Sequence, residues 1–369
     1  MIIFKRLISL CLLFPVSLLA EEFELPVAEG APLREIVAQY YPRGNVYVGG
    51  TTGWKKRSRT SGLLAREFSY ITPENDFKQP GIHPMPDRWN WKIADAWVEY
   101  AAEHGQLIRM HGPIGPQASK WTLEDDRTPA ELEQNLTEFM TALCQRYDGH
   151  PQVRWMDVVN ETVEPKTGEW FGPKPGTDKW ENPWTILGFD ETVPMRPPQY
   201  IKMAFEIANE HAPNTKLIIN QHGKMESGAW GKVCGLVYYL REQGLRVDGI
   251  GWQAHVDVGW EKEPGNLERL EKLIAWAHAN ELSFHVTENN VWLKKKKDYE
   301  AQAETFGAIL RVLLSKRHSG VVTWNVWNLS DADAYVKREA YDGSIFDREY
   351  APKPAYYTLQ RELLQAAQE

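Results

Sequence analysis

Cysteine is scarce in this sequence, which limits the metal sites and disulfides that the protein can form. Three cysteines occur among 369 residues, and Cys11 lies in an apolar N-terminal run that we expect to be removed. Cys144 and Cys234 lie in helix-like segments without metal-ligand spacing around them. A cysteine-based zinc site and a disulfide-rich scaffold are therefore excluded. We expect two buried free thiols, and a disulfide between them is the alternative.

An excess of basic residues is also missing. The formal net charge is −8, so nothing favours nucleic acid as a partner. For the one basic run, Lys294 to Lys297, we favour a solvated loop face, with attraction of an acidic substrate as the alternative. Internal repeats and low-complexity linkers are absent too, which favours a single folded domain.

No apolar stretch is long enough to span a membrane. Residues 1–20 combine Lys5 and Arg6 with the apolar run Leu7 to Ala20, the pattern of a secretory signal peptide. This run is shorter than a spanning helix requires. We expect cleavage after Ala20, no membrane association of the remaining chain, and a secreted or periplasmic location.

Strands and helices alternate along the rest of the chain. Eight apolar, β-branched runs are typical of strands, at 45–50, 68–72, 107–111, 155–160, 217–220, 247–253, 282–288 and 320–324. Helical patterns lie at about 93–103, from 128 onward, and at 201–211, 232–242, 267–279, 300–315 and 354–365. This order predicts the α/β class and a single (β/α)8 TIM barrel over residues 21–369. The long loop at 163–196 is expected at the rim of the active site.

Two of these strands lead directly into a glutamate. Val158 and Val159 precede Asn160 and Glu161, and the strand at 282–288 ends in Glu288. Barrels of this kind place their chemistry at the carboxyl ends of the strands. One such glutamate alone is more often a solvated loop residue or a neighbour of a helix cap. A pair on distant strands is what a glycosidase needs, with one acid to protonate the leaving oxygen and one to act at the anomeric carbon.

The chain resembles glycoside hydrolase family 10, the endo-β-1,4-xylanases, from about Val46 to Leu364. The segments that carry the resemblance, in the family's order, are Ile71-Thr72-Pro73-Glu74-Asn75-Asp76-Phe77-Lys78, Asp157-Val158-Val159-Asn160-Glu161, Asp248-Gly249-Ile250-Gly251-Trp252-Gln253-Ala254-His255, Thr287-Glu288, and Phe346-Asp347 with Pro352-Lys353-Pro354-Ala355-Tyr356. The resemblance implies a secreted retaining xylanase acting on xylan or a decorated xylan. It implies a polysaccharide substrate as partner, no cofactor and no metal, and we expect a monomer.

The resemblance also assigns roles to individual residues. Glu161 corresponds to the general acid/base and Glu288 to the nucleophile, and His255 would hydrogen-bond and orient Glu288. Trp324 matches an aromatic floor under the scissile sugar. The remaining expected substrate-binding residues are polar: Glu74, Asn75, Lys78, His111, Asn160 and Gln253. For each of these, an ordinary hydrogen bond within the barrel is the simpler interpretation.

Three departures from the family concern the same pocket. The segment Gly112 to Gln117 lacks an aromatic wall, and Asn289-Asn290 stands where Leu-Asp is common. Ala332 occupies the approximate place of a second tryptophan, which Trp327 or Tyr335 would have to replace. The small residues predict a roomier glycon pocket. They also keep two alternatives open: hydrolysis of another β-linked polysaccharide, and a carbohydrate-binding barrel that no longer hydrolyses.

Overall fold

The computed structural model of the chain describes residues 25–176, 180–294, 297–334 and 341–369. The predicted signal peptide at 1–20, two lysines of the run 294–297, and Tyr335 lie outside these ranges. Among the described residues, no helix has the length and apolar character needed to cross a membrane.

Parallel strands form a closed barrel at the centre of the molecule. The strands are β1 (Val46–Thr51), β2 (Tyr70–Thr72), β3 (Leu107–Met110), β4 (Val153–Asn160), β5 (Lys216–Gln221), β6 (Gly249–Trp252), β7 (His255–Asp257), β8 (Ser283–Trp292) and β9 (Val322–Val326). Eight of them pair in the order β6-β5-β4-β3-β2-β1-β9-β8, and pairing between β6 and β8 closes the ring. The short β7 pairs with the outer part of β8. The predicted (β/α)8 barrel is confirmed.

Helices surround the barrel. They are α1 (Leu33–Tyr40), α2 (Arg57–Glu67), α3 (Gln79–Ile82), α4 (Lys92–Glu103), α5 (Pro129–Tyr147), α6 (Gln199–His211), α7 (Ser227–Glu242), α8 (Asn266–Ala279), α9 (Tyr299–Ser315) and α10 (Pro354–Ala366). At the start of α5, Thr128 and Glu131 form a reciprocal capping box that satisfies two backbone N–H groups. Helix α2 and strand β7 are absent from the sequence-based prediction.

The barrel interior changes character along its axis. A small apolar cluster of Tyr70, Trp155 and Ile218 fills one level of it, while most of the hydrophobic core lies between the strands and the helices. Above that cluster lies a buried charged layer that includes Arg109 and Asp157, both fully buried. This layer leads to the carboxyl ends of the strands, where the site lies.

The two cysteines of the described chain are both free thiols. Cys144 is buried in α5, whereas Cys234 in α7 is only half-buried. The prediction of free thiols is confirmed, and the alternative disulfide is not formed.

Candidate active site

A cavity of about 900 Å³ opens where the barrel strands end. Its walls come from segments that follow β2, β3, β4, β5, β6 and β9, and from β7 and β8 themselves. Eight of the ten residues that the sequence singled out line this cavity: Glu74, Asn75, Lys78, His111, Glu161, Gln253, His255 and Glu288. The topology therefore brings side chains that lie far apart in sequence into one place.

Glu161 sits on a constrained turn directly after β4. Its φ of +58° lies in the left-handed region, which is unfavourable for a residue with a Cβ atom. The side chain of Gln221 stabilises this turn, because its Oε1 accepts hydrogen bonds from the backbone N–H groups of Thr162 (3.1 Å) and Val163 (3.2 Å). The turn is thus held in place by the neighbouring strand β5.

The two carboxyl oxygens of Glu161 have different surroundings. Oε1 accepts hydrogen bonds from Gln253 Nε2 at 2.7 Å and from Asn160 Nδ2 at 3.1 Å. Oε2 has no hydrogen-bond partner among the described residues. The Glu161 side chain lines the cavity, and its Oε2 is buried there without an internal partner.

Glu288 lies inside β8, not at its end. The strand continues to Trp292, so the prediction of a strand ending at residue 288 was wrong. The register between β8 and β9 shifts between Val286 and Asn289. Such an irregularity re-aims a side chain without ending the strand, and it directs Glu288 into the cavity.

Polar partners hold the carboxylate of Glu288 from several sides. Asn220 Nδ2 donates to Oε1 at 2.9 Å, and His255 Nε2 lies 3.3 Å from Oε2. His111 Nδ1 lies 3.6 Å from Oε1. Burial alone raises the pKa of Glu288, but His111, His255 and the more distant Arg109 outweigh it and hold that pKa well below its usual range. Glu288 is therefore an ionised carboxylate.

Asn220 connects the two carboxyl groups and was missed in the sequence. Its Nδ2 donates both to Glu288 Oε1 and to Asn160 Oδ1 (2.8 Å), and Asn160 in turn donates to Glu161. The sequence signal was present, since Asn220 ends a predicted strand as Asn160 does. Asn160 itself is buried and acts through Glu161 and Asn220 rather than lining the cavity.

The glycon-side residues form a second connected group. His111 Nδ1 lies 2.8 Å from Asp157 Oδ2, and Arg109 Nη2 lies 3.5 Å from the same oxygen. Burial, helped by the Lys78 ammonium, lowers the pKa of His111. Lys78 Nζ donates to Gln117 Oε1 at 2.5 Å, and Gln117 is a cavity residue that the sequence analysis did not assign.

The role expected of Trp324 is contradicted by its position. Its side chain is 1% exposed and packs edge-on against Phe306 of α9, on the outside of the barrel. Its Nε1 donates to Asn289 Oδ1 at 2.9 Å. Strand β9 extends to Val326, so Trp327 is the first residue beyond the strand end. Trp327 lines the cavity and meets His111 edge-to-face, with the ring centroids 5.1 Å apart.

The glycine-rich segment after β3 does not open the glycon pocket as expected. A Cβ atom on Gly115 would lie 2.8 Å from the backbone oxygen of Asn160, so this segment packs directly against the end of β4. The buried indole of Trp184 donates to the Gly115 carbonyl oxygen at 3.2 Å. The segment around Gly115 packs against Asn160 and leaves no additional space there. The prediction of a roomier pocket was therefore wrong at this position.

The cavity also carries aromatic and basic groups that the sequence did not single out. Trp180, 45% exposed, lies in the long loop after β4, which therefore contributes to the rim as predicted. Trp292 stacks parallel to His255, with an interplanar angle of 3° and 5.6 Å between centroids. Lys166 and Lys224 also line the cavity.

A model of the family described as Glycosyl hydrolase family 10 matches residues 34–362 of this chain. The chain belongs to glycosyl hydrolase family 10.

Individual members of family 10 are similar over most of this chain. The endo-1,4-beta-xylanase B of Thermotoga neapolitana is 27% identical over 353 residues, covering 92% of this chain and 93% of that protein. The endo-1,4-beta-xylanase A of Caldicellulosiruptor saccharolyticus is 29% identical over 323 residues, covering 81% and 87%. Among solved structures, xylanase 10B of Thermotoga petrophila RKU-1 in complex with xylobiose superposes with a TM-score of 0.78 at 26% identity, covering 92% of this chain and 99% of that one.

Membership of family 10 makes the chain a glycoside hydrolase. The described residues contain no group of three or more histidine, cysteine or acidic side chains placed to hold a metal ion.

Proposed function

We propose that this family 10 hydrolase is an endo-β-1,4-xylanase that cleaves xylan or a decorated xylan with retention of configuration. The observation that carries the proposal is the pairing of an ionised Glu288 with a Glu161 whose Oε2 remains unpaired. Retaining glycosidases need these two states in one site, a charged nucleophile and a carboxyl group that can hold a proton. The names of the related xylanases support the substrate.

In the first step, a carboxylate oxygen of Glu288 forms a bond to the anomeric carbon. The bond from that carbon to the leaving sugar's oxygen breaks, and the oxygen takes the proton from Glu161 Oε2. Asn220 and His255 keep Glu288 oriented for this attack. Gln253 and Asn160 hold the other oxygen of Glu161, so its carboxyl plane cannot rotate away.

In the second step, water attacks the same anomeric carbon. Glu161, now a carboxylate, takes a proton from the water, and the bond between the sugar and Glu288 breaks. Glu288 leaves as a carboxylate into the same hydrogen bonds, and Glu161 regains its proton. The negative charge therefore alternates between the two glutamates during the cycle.

Substrate would be held by hydrogen bonds on one side of this pair and by stacking on the other. Glu74, Asn75, Lys78 and His111 supply the polar groups of the glycon side, with Trp327 among them. Trp180 and Trp292 line the same cavity, and we propose that their flat apolar faces stack against sugar C–H groups. Gln253 is proposed to contact a hydroxyl group of the sugar at the cleavage point as well as Glu161, whereas Asn160 is proposed to act through Glu161 and Asn220.

The same site on another β-linked polysaccharide is the second candidate. It is favoured by the wall after β3, where Gln117 faces the cavity and Gly115 leaves no room for an aromatic side chain. Hydrogen bonding to a different sugar would use such a polar wall. We also propose that the enzyme acts outside the cytoplasm, on the evidence of the signal-like segment at residues 1–20.

A panel of soluble β-linked polysaccharides tests the proposal. We expect the purified chain to release oligosaccharides from xylan, with the first-formed product carrying the β-anomeric configuration in proton NMR. Glu288→Gln should reduce turnover by several orders of magnitude while leaving xylo-oligosaccharide binding measurable by calorimetry. Glu164→Gln, which changes another carboxyl group of the cavity lining, serves as a matched control and should stay active. Near-normal turnover by Glu288→Gln, or activity confined to another polysaccharide, would contradict the proposal.

A further inference from the structure

We infer that Lys56 is a positioning residue that orients Glu74 and thereby sets how tightly the glycon side of the cavity holds a sugar beyond the one being cleaved. The inference rests on the proposed function, because it concerns further sugar units of the same substrate. Glu74 lines the cavity, and Lys56 acts on the substrate through it. Lys56 lies outside the segments that carry the resemblance to family 10.

The contacts of Lys56 connect three of the segments that follow barrel strands. Its Nζ donates to Oε1 and Oε2 of Glu74, at 3.1 and 3.2 Å, and to the Asp333 carbonyl oxygen at 3.0 Å. These three contacts match the three N–H groups of an ammonium. Because both oxygens of Glu74 face one cation, the plane of this carboxylate is fixed. Its remaining lone pairs are free to accept hydrogen bonds from sugar hydroxyl groups.

The segment that carries Lys56 is itself held in place. Lys56 ends a short 3-10 turn, Trp54–Lys56, after β1. The backbone N–H of Trp54 donates to Asp76 Oδ2 at 2.8 Å, and the same oxygen accepts a hydrogen bond from Trp97 Nε1 at 2.8 Å. Asp76 lies two residues after Glu74, so the turn is anchored to the segment whose carboxylate Lys56 orients.

Glu74 occupies a confined position. Its φ of +32° lies in the left-handed region, which is unfavourable for a residue with a Cβ atom. A Cβ atom on Gly53 would lie 2.4 Å from Glu74 Oε2. Gly53 has an extended backbone that any residue adopts, so its small size serves the approach of Glu74. A cation at position 56 and a missing side chain at position 53 thus place the same carboxylate.

Glu74 lies farther from the cleavage point than the other charged groups of the glycon side. His111 Nδ1 is 3.6 Å from Glu288 Oε1. The ammonium of Lys78 interacts more strongly with Glu161 and Glu288 than with Glu74. A sugar that reaches Glu74 is therefore one that lies beyond the sugar at the anomeric carbon under attack.

Lys78 also explains what happens when Lys56 is absent. Lys78 is 4% exposed, and its charge acts on Glu74 as well as on the catalytic pair. Without Lys56, the carboxylate of Glu74 loses its fixed plane and is drawn toward this second cation. Hydrogen bonds from Glu74 to the distant sugar are then misaligned, whereas Glu161 and Glu288 keep their partners.

The test compares two substrates with the same activated aryl leaving group, an aryl xyloside with one glycon sugar and an aryl xylobioside with two. Contacts to a remote sugar raise kcat/KM only for the substrate that carries this sugar. We expect Lys56→Met to lower kcat/KM for the xylobioside roughly tenfold, the order expected for one misaligned charge-assisted hydrogen bond. The value for the xyloside should stay nearly unchanged. Lys56→Arg keeps the charge and should regain most of the loss.

Two further variants separate the orientation of Glu74 from a general effect of charge. Lys55→Met is the matched control, since Lys55 directly precedes Lys56 and is exposed. It removes the same charge and should leave both values of kcat/KM unchanged. Gly53→Ala keeps Lys56 but places a methyl group against Glu74 Oε2. It should reproduce the selective loss on the xylobioside.

Thermal unfolding of every variant is measured first. If Lys56→Met does not fold, Lys56→Gln, which keeps a donor for the Asp333 carbonyl oxygen, takes its place. The inference is overturned by an unchanged kcat/KM for the xylobioside, by equal losses on the two substrates, or by the same selective loss in Lys55→Met. Failure of the proposed function looks different, because the wild type would then hydrolyse neither substrate. Calorimetric binding of xylobiose to the wild type and Lys56→Met would decide the inference in that case.

Discussion

At the scale of single residues, the carboxyl groups of Glu161 and Glu288 differ in the partners that surround them. Glu288 has a hydrogen-bond donor or a histidine ring nitrogen close to each of its oxygens, and hydrogen bonds to a carboxylate favour its charged form. Glu161 receives two amide donors at one oxygen and none at the other. The difference in partners, rather than a difference in residue type, separates the proposed nucleophile from the proposed acid.

The loss of activity on removal of the proposed acid, Glu161, should therefore depend on the leaving group of the substrate. We expect Glu161→Ala to slow hydrolysis of xylan by roughly 10²–10⁴-fold, the usual contribution of a general acid. An aryl glycoside with an activated leaving group needs little protonation, so its glycosylation step should be affected much less. The measurement is kcat/KM for both substrates, because this ratio reports steps up to the first irreversible bond cleavage. Equal losses on the two substrates would remove Glu161 from the acid role.

Sequence reasoning found the glutamates but not all of the partners. Strand ends are visible in a sequence, because β-branched runs stop at polar residues such as Asn160 and Glu161. Side chains alternate between the two faces of a strand, so the strand register decides which of them face the cavity. A shift of one residue in the assumed register exchanges an inward side chain for an outward one. For this reason Trp324 was assigned in place of Trp327. Asn220 was missed because its role arises only when β5 and β8 are brought together.

At the scale of secondary-structure elements, close approach of the strands positions the site. Gly251 on β6 has no side chain, and a Cβ atom there would lie 2.6 Å from Asn220 Oδ1 and 2.7 Å from Thr287 Cγ2. Thr287 Oγ1 donates to Asn220 Oδ1 at 2.8 Å, so both neighbours belong to the network that reaches Glu288. The absence of a side chain at Gly251 leaves the space in which Asn220 reaches Glu288 Oε1.

Gly251→Ala should consequently disturb catalysis through Asn220. Overpacking a well-filled interior costs about 1–3 kcal/mol, and displacement of Asn220 removes the hydrogen bond to Glu288 Oε1. We expect a lower kcat together with a lower free energy of unfolding, measured by steady-state kinetics and by denaturant titration. Gly231→Ala is the matched control, since the exposed Gly231 of α7 has no atom within 4 Å of its added Cβ. It should leave kcat unchanged and stabilise the helix by up to about 1 kcal/mol. Loss of stability with unchanged kcat in Gly251→Ala would show that Asn220 does not orient the nucleophile.

The elements that sequence reasoning missed have identifiable causes. Helix α2 begins with Arg57-Ser58-Arg59-Thr60-Ser61-Gly62 and buries only two apolar side chains, Leu63 and Leu64. Its periodic signal is therefore weak, and tertiary packing determines it. Strand β8 was ended too early because Glu288, Asn289 and Asn290 look like a loop. The amides of Asn289 and Asn290 instead donate to the carbonyl oxygens of Ala254, Trp327 and Gly343.

At the scale of the whole molecule, the last part of the chain ties the barrel closed. Pairing of β1 with β9 joins the first and last strands of the chain, and Tyr41 of the N-terminal region donates to the Leu363 carbonyl at 2.6 Å. The segment before α10 adds a buried ion pair, Lys353 Nζ to Asp331 Oδ2 at 2.9 Å. Alternating strands and helices made this closed architecture predictable from sequence, whereas nothing in the pattern indicated a buried charge pair.

The ion pair between Lys353 and Asp331 should control stability in a pH-dependent way. Both side chains are nearly inaccessible, at 4% and 2% exposed, so Lys353→Met leaves a buried carboxylate without its cation. Breaking such a pair costs about 3–5 kcal/mol. Burial raises the pKa of Asp331 to about 6, even though Lys353 lowers it. A carboxyl group with a raised folded-state pKa stabilises the fold below its unfolded pKa, and this contribution is lost as the pH rises through the folded pKa.

The destabilisation by Lys353→Met should therefore be larger at pH 8, where Asp331 is charged, than near pH 5, where it is largely protonated. The measurement is the difference in free energy of unfolding between wild type and variant at both pH values. The double variant Asp331→Asn, Lys353→Met removes both charges and should regain part of the loss at pH 8, as expected for coupled residues. A loss that is equal at both pH values, with no recovery in the double variant, would mean that the lysine contributes through packing of its aliphatic stem instead of through its charge.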